Sequence, residues 1–185
     1  MQDLSLHILD IAENSIEAQA KMIEIRLEEN RSQDRFVLQI SDDGKGMSPD
    51  LLKHALDPFV TTKTTRRVGL GLPLLAQAAR AANGRLTIES DESKGTRVLA
   101  IFELSHIDRK PLGDIAQTLI TLIMGHPEVD IIYTHTIDDK EYRLDTTEIK
   151  GQLDGIPIYS PEVITILKTN INQGLEQLRR KNESR

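Results

Sequence analysis

Residues 42–46 read DDGKG, set between the alternating run FVLQIS at 36–41 and MSPDLLKHAL at 47–56. Glycine has no Cβ and tolerates positive φ, so a strand that ends in glycines lets backbone approach a ligand closely. Asp-Gly is also a common turn signal, and DDGKG by itself reads first as an ordinary solvated turn. The flanking segments decide between the two.

Upstream, residues 3–19 carry a helical period, with Leu4, Ile8, Ile11 and Ser15 on one side and Ala12, Ile16 and Leu9 extending it. MIEIRLEE at 22–29 and RFVLQIS at 35–41 alternate as half-buried strands do, and NRSQD between them predicts a hairpin. Downstream, Ser48 and Pro49 open a short helix to residue 56. DPFVTTKTTRRV at 57–68 has no period, and LPLLAQAARAAN at 72–83 is strongly helical, closed by Asn83-Gly84. RLTIES and TRVLAIFEL follow as two strands joined by DESKG.

The polar, Pro- and Gly-containing SHIDRKPLG at 105–113 marks the best domain boundary. Beyond it a smaller α/β unit is expected: a helix at 112–124, a hairpin of VDIIYTHTI and KEYRLD across Asp138-Asp139, and a helix over 161–180 opened by Ser160 and Pro161. The division is therefore 1–104 and 105–185, the second unit serving partner recognition, dimerisation or only the cover of a sheet face.

Composition narrows the function classes. The 185 residues are 38% hydrophobic and 28% charged with a net charge of -6, a globular balance. Neither part is basic, and only three Phe and three Tyr are available to stack on bases, so nothing points to nucleic acid. The absence of cysteine removes disulfides, thiolate metal sites and cysteine nucleophiles. No apolar run reaches bilayer length and MQDLSLHILD lacks the basic start of a signal peptide, so a cytoplasmic protein without membrane contact is expected.

On the first helix, His7, Asp10, Glu13, Asn14 and Glu17 fall within one sector, which alone would be a solvated face. In chain order, however, a polar helix, a strand ending in DDGKG, a loop with TTK and paired arginines, and GLG opening a helix fit a nucleotide pocket. P-loop, G-x-G-x-x-G and H-E-x-x-H patterns are all absent. Phosphates would instead sit at the amino end of the helix beginning near Gly71, with Lys63, Arg66 and Arg67 just upstream.

ENSIEA, DDGKGM, DPFVTTK, VGLGLPLLAQAA and KGTRV, in this order, resemble the five nucleotide-binding boxes of the GHKL ATP-binding superfamily. That superfamily comprises histidine kinases, type II topoisomerases, heat-shock chaperones and mismatch-repair ATPases. The short loop and GLGL helix are most similar to a histidine kinase catalytic domain, and ENSIEA is more similar to the mismatch-repair branch. The resemblance covers residues 1–104. It implies an α+β fold of Bergerat type, a two-layer α/β sandwich in which a mixed sheet carries helices on one face and nucleotide binds between helices and a lid.

The resemblance also implies roles. Asp42 accepts a hydrogen bond from the adenine amino group, while Gly44 and Gly46 let backbone close around the base, and Asp43 is structural. A carboxylate suits this place because it only accepts, favouring adenine's amino group over guanine's carbonyl. Asn14 binds Mg²⁺ bridged to the phosphates of ATP. Asp10 stands where hydrolytic relatives carry the carboxylate that activates water, though geometry alone leaves it equally a surface Asp, and Glu13 could share the task. Thr62 and Lys63 of TTK, with Gly69, Leu70 and Gly71 of the glycine pair, surround the phosphates, Lys63 reaching the γ-phosphate. Thr96 of KGT joins the adenine-side water network.

Two departures stand out. Arg67 occupies the outermost glycine position of a G-x-G-x-G pattern, which bears on the lid rather than on binding. None of the five histidines precedes the acidic residue usual beside a phosphoacceptor, so self-phosphorylation is not expected. Three functions follow: transfer of the γ-phosphate to a partner protein in signalling, ATP hydrolysis driving a conformational change, or non-enzymatic nucleotide sensing. A substrate or regulatory protein is the expected partner, with a homodimer as one form this could take.

Overall fold

The computed structural model describes residues 3–57 and 70–180. Helix α1 (Leu4–Glu17) is capped by Asp3, whose Oδ1 accepts from the Leu6 N–H at 3.1 Å. Strands β1 (Met22–Asn30) and β2 (Arg35–Asp42) form the expected hairpin, with Ile25 opposite Ile40 and Leu27 opposite Leu38. A short α2 (Pro49–Lys53) starts at the Ser48 cap, and α3 (Gly71–Ala81) leads through Asn83 and Gly84 into β3 (Arg85–Asp91) and β4 (Gly95–Glu103). Then come α4 (Ile115–Gly125), β5 (Asp130–Ile137), β6 (Lys140–Asp145), α5 (Thr146–Gln152) and α6 (Pro161–Arg180).

The six strands make one mixed sheet in the order β3-β4-β2-β1-β5-β6, antiparallel except for the parallel β1–β5 pair. The two-residue period of the strands turns Ile23, Ile25, Leu27, Phe36, Leu38, Ile40, Tyr133 and Ile137 to the buried side. Over them α3, α1, α4 and α6 pack in that order, each against the next. Phe36 and Phe102 meet edge-to-face at 5.7 Å, a pair contributing about 0.5–1.5 kcal/mol beyond its burial. This is the two-layer α+β sandwich expected from the sequence. Among the described residues no helix is long and apolar enough to cross a membrane.

The C-terminal segment is built into this sheet. β5 runs along the edge of β1 from Met22–Asp130 to Glu29–Ile137, and residues from both sides of position 105 form a single apolar core. Residues 105–113 are pinned down rather than slack: the Ser105 N–H and hydroxyl donate to Asp34 at 2.8 and 2.7 Å, and the Arg109 guanidinium lies over the Phe36 ring. The carbonyls of Pro111 and Leu112 accept from the Leu4 and Ser5 N–H groups. The polar, Pro- and Gly-containing composition there marks a surface connection, so the boundary expected at 105 runs through one sheet and one core. Helix α5 was not expected either; Asp145 caps it by accepting from Thr147 N and Glu148 N, an Asp-x-x-Glu start that the sequence displays.

His7, placed by its spacing on the polar side of the first helix, is interior, and so is His135 in β5. His135 is buried beneath α6, its Nε2 3.0 Å from Glu29 Oε1 and its Nδ1 3.1 Å from Tyr133 Oη. Burial alone would raise the Glu29 carboxyl, but the hydrogen bond and charge of His135, with Arg109 and Arg179 beyond it, hold it below its ordinary value. His7 is buried on α1, whose flanks are covered by α3 and by α4, whereas Leu6 beside it is exposed.

Burial pushes the His7 imidazole below its ordinary value of 6.5, outweighing the opposing pull of Asp10 and Asp3, and among the described residues its Nδ1 has no hydrogen-bond partner. Folding thus favours neutral His7, and this contribution is complete above pH 6.5 and is lost as pH falls from there through the lowered folded value. Chemical denaturation at about pH 7.5 and about pH 5.5 should show wild type losing more stability over that range than His7→Leu. Equal losses would show that His7 is not the group that titrates.

Candidate functional site

The end of β2 meets the end of α1 and the start of β4. Asp42 is paired in register with Ile23 on one side and Thr96 on the other, and every hydrogen bond to its carboxylate comes from a donor. Oδ1 accepts from the Gly44 N–H at 2.9 Å and the Thr96 N–H at 3.2 Å, and Oδ2 accepts from the Ser15 hydroxyl at 2.6 Å. The Asx-type bond to Gly44 makes the turn that swings the chain off the sheet. Asp43 is exposed and holds the turn between α1 and β1, its Oδ1 accepting from Lys21 N at 2.7 Å and Met22 N at 2.9 Å.

The loop that follows is clamped from both sides. Lys45 N–H donates to the Ala18 carbonyl at the end of α1, and the Lys45 carbonyl accepts from Ser93 in the β3–β4 turn. Gly46 has φ +67°, and a Cβ there would lie 2.0 Å from the Asp91 carbonyl oxygen, so no other residue keeps this close approach. Ser90 ties the ends together: its Oγ accepts from Met47 N–H at 2.9 Å, donates to the Gly95 carbonyl at 3.0 Å, and lies 2.8 Å from Thr96 Oγ1.

The second half of the site is the amino end of α3 facing α1. Leu70, half exposed, precedes Gly71, and among the described residues no side chain caps this helix. A Cβ on Gly71 would stand 1.8 Å from Asp10 Oδ2, so glycine is what lets the Asp10 carboxylate lie this close to the helix start, while Asn14 Nδ2 would be at an ordinary contact distance of 3.6 Å. Asp10 and Asn14 are one helical turn apart and share this face of α1, as their spacing predicts. The amide nitrogen and oxygen of Asn14 are interchangeable by rotation, so its carbonyl can face the same place.

The expected residues thus gather in two groups. Asp42, Gly44, Gly46 and Thr96 form a polar cradle at one end; Asp10, Asn14, Leu70 and Gly71 meet at the other, and α1 joins them. Glu13 is not brought to either group, because its Oε1 lies 3.3 Å from His126 Nε2 at the end of α4. Thr62, Lys63 and Gly69, with Arg66 and Arg67, lie outside the described residues. Sequence reasoning missed Ser15 and Ser90. Ser15 was counted on the apolar side of α1, and that was the signal, since a hydroxyl on a buried face needs a partner.

Residues 2–106 match the family described as histidine kinase-, DNA gyrase B-, and HSP90-like ATPase. Sporulation kinase C of Bacillus subtilis is 33% identical over 88 residues, 48% of this chain and 20% of that protein. The sensory histidine kinase/phosphatase NtrB of Rhizobium meliloti is 46% identical over 61 residues, 32% of this chain and 16% of that protein. The chain therefore spans a fifth or less of these relatives. Among solved structures, the Aquifex aeolicus MutL ATPase domain complexed with ADP has a TM-score of 0.52 at 14% identity, covering 83% of this chain and 68% of that one. The N-terminal domain of a DNA repair protein has a TM-score of 0.55 at 18% identity, covering 78% and 53%. Both likenesses in fold cover more of the chain than the family match, and so take in part of the C-terminal segment. The chain belongs to the histidine kinase-, DNA gyrase B- and HSP90-like ATPase family.

Proposed function

We propose that this chain binds Mg-ATP with the base on Asp42 and the phosphates at the amino end of α3, and that Asp10 activates water for hydrolysis of the γ-phosphate. The observation that supports hydrolysis is the Asp10 carboxylate set against Gly71. A carboxylate there repels phosphate, and its presence is chemically reasonable only if it takes a proton from water or acts through the metal. Magnesium keeps several waters and needs few protein oxygens, so Asn14 fits as its direct protein ligand; the ion would neutralise charge on the phosphates. Turnover would act on the C-terminal segment, which shares the sheet with the site.

A second reading, transfer of the γ-phosphate to a partner protein, is favoured by the identity with sporulation kinase C and NtrB. Self-transfer gains no support from His7 and His135, which are buried.

Incubation with γ-labelled ATP and Mg²⁺ separates these readings. Free phosphate released by wild type and reduced about 10²–10⁴-fold in Asp10→Asn, with nucleotide binding retained, is the expected result. Release that is unchanged in Asp10→Asn removes Asp10 from the chemistry. Label that appears only on an added protein supports transfer.

A further inference from the structure

The geometry points to a second binding site, separate from the nucleotide site, in which Lys21 and Glu128 take the carboxylate and the ammonium of a small apolar amino acid.

The site is the cleft where β1 and β5 begin. Ile16, Gln19, Ala20 and Lys21 line it from the end of α1 and the turn into β1, Glu128 and Val129 from the turn into β5, and the space between them is about 430 Å³. Small-molecule sites run from about 300 to about 1,000 Å³. The two walls are fastened to each other and to their surroundings. The Asp130 N–H donates to the Lys21 carbonyl at 2.8 Å, and the parallel ladder of β1 and β5 continues from there. The Ala20 N–H donates to the Ser15 carbonyl, and Asp43 Oδ1 accepts from Lys21 N and Met22 N. On the other wall the Val129 N–H donates to the His126 carbonyl, and the Val129 carbonyl accepts from Lys150 Nζ at 3.3 Å. A cleft with walls already ordered loses little affinity to ordering them.

Charge decides what fits. Nearby ionised groups are already engaged: Asp130 pairs with Lys150 at 2.7 Å, and Glu13 meets His126 at 3.3 Å. Among the described residues the Lys21 ammonium has no ion pair, and the Glu128 carboxylate has only His126 Nδ1 at 3.9 Å, beyond hydrogen-bond distance. Two opposite charges thus line one cleft from different turns without pairing with each other. An amino acid carries the complement of both and meets each with a charge-assisted hydrogen bond. A cation alone leaves Lys21 unmatched, an anion alone leaves Glu128 unmatched, and a neutral apolar molecule leaves both.

Between the charges the cleft is apolar. Ala20 and Val129 are buried, and the partly buried Ile16 packs against the core beside them. A short aliphatic side chain covers this surface and removes it from water. The Gln19 amide, which both donates and accepts, completes the polar rim.

The test titrates L-leucine into the full chain and follows the backbone amides by two-dimensional NMR. Leucinol, which lacks the carboxylate, and isocaproate, which lacks the ammonium, are the comparisons. Leucine should bind saturably at about millimolar concentration and shift the Gln19, Ala20, Lys21 and Val129 signals, with leucinol and isocaproate each about tenfold weaker. Lys21→Met should weaken leucine about tenfold and leave leucinol unchanged, and Glu128→Gln should weaken leucine about tenfold and leave isocaproate no weaker. Both side chains are exposed, so both variants should fold, which thermal melting checks. No saturable binding, equal binding of the three compounds, or leucine binding that either substitution leaves unchanged overturns the inference. None of these outcomes touches the ATP reading, which rests on Asp10 and Asp42.

Discussion

A fragment ending at residue 104 should fail to fold. It would keep the whole stretch that resembles the ATPase boxes, yet it would lose β5, the neighbour of β1 along its full length, and with it α4 and α6. The segment beyond 104 supplies Ile115, Leu119, Ile120, Leu122, Ile123, Ile131, Tyr133, Ile137, Leu144, Val163, Leu167, Ile171, Leu175 and Leu178 to the common core. At about 1.5–3 kcal/mol for each large side chain fully buried, re-exposing only a few core residues approaches the whole stability of a domain, about 5–15 kcal/mol. Removal would also bare the α4 side of α1 and leave β1, nine residues long, as an unpaired edge of the remaining four strands, which invites aggregation. Circular dichroism and a thermal scan check this: the full chain should unfold cooperatively and the fragment should show no such transition. A monomeric fragment that melts cooperatively would mean that residues 1–104 hold a core of their own.

Asp42→Asn should reduce ATP affinity roughly hundredfold or more while leaving the fold in place. The fold survives because the Asn oxygen can keep the bonds from Gly44 N–H and Thr96 N–H, and the Ser15 hydroxyl can rotate to accept from the new amide nitrogen. Binding does not survive, because that same NH₂ replaces an acceptor by a donor where the adenine amino group must itself donate. The change is isosteric, so the loss is one of proton direction and charge rather than of shape. This separates it from a substitution such as Gly46→Ala, in which a Cβ would strike the Asp91 carbonyl and disturb the loop itself.

Much of this was readable in the chain, and the exceptions have identifiable causes. Period-two runs gave β1 to β6 because the sheet has one buried and one open face, so Ile25, Leu38 and Tyr133 announce their side. The position of Asp42, Gly44 and Gly46 at a strand end, and of Asp10 and Asn14 one turn apart, follow from spacing alone. What spacing cannot show is which helix lies on either side. His7 looked solvated because a helical wheel has no knowledge of α4 packing beside it, and Glu13 left the site because His126, distant in sequence, holds it. At the boundary expected at 105 the reason is related: polarity with Pro and Gly reports that a segment is at the surface, not that pairing ends there. β5 pairs with β1 across about a hundred residues of intervening chain, and no local pattern carries that. The roles of Ser15 and Ser90 depend on hydrogen bonds between elements, which become visible only when β2, β3, β4 and α1 are assembled.

The most direct test of the central claim, that Asp42 and its cradle hold the base of ATP, is calorimetric titration of Mg-ATP into the full chain and into Asp42→Asn, with thermal melts to show that both are folded. Saturable one-site binding by wild type, lost or weakened roughly hundredfold in a folded Asp42→Asn, is the predicted result. Equal binding by the two proteins, or no binding by a folded wild type, would contradict it.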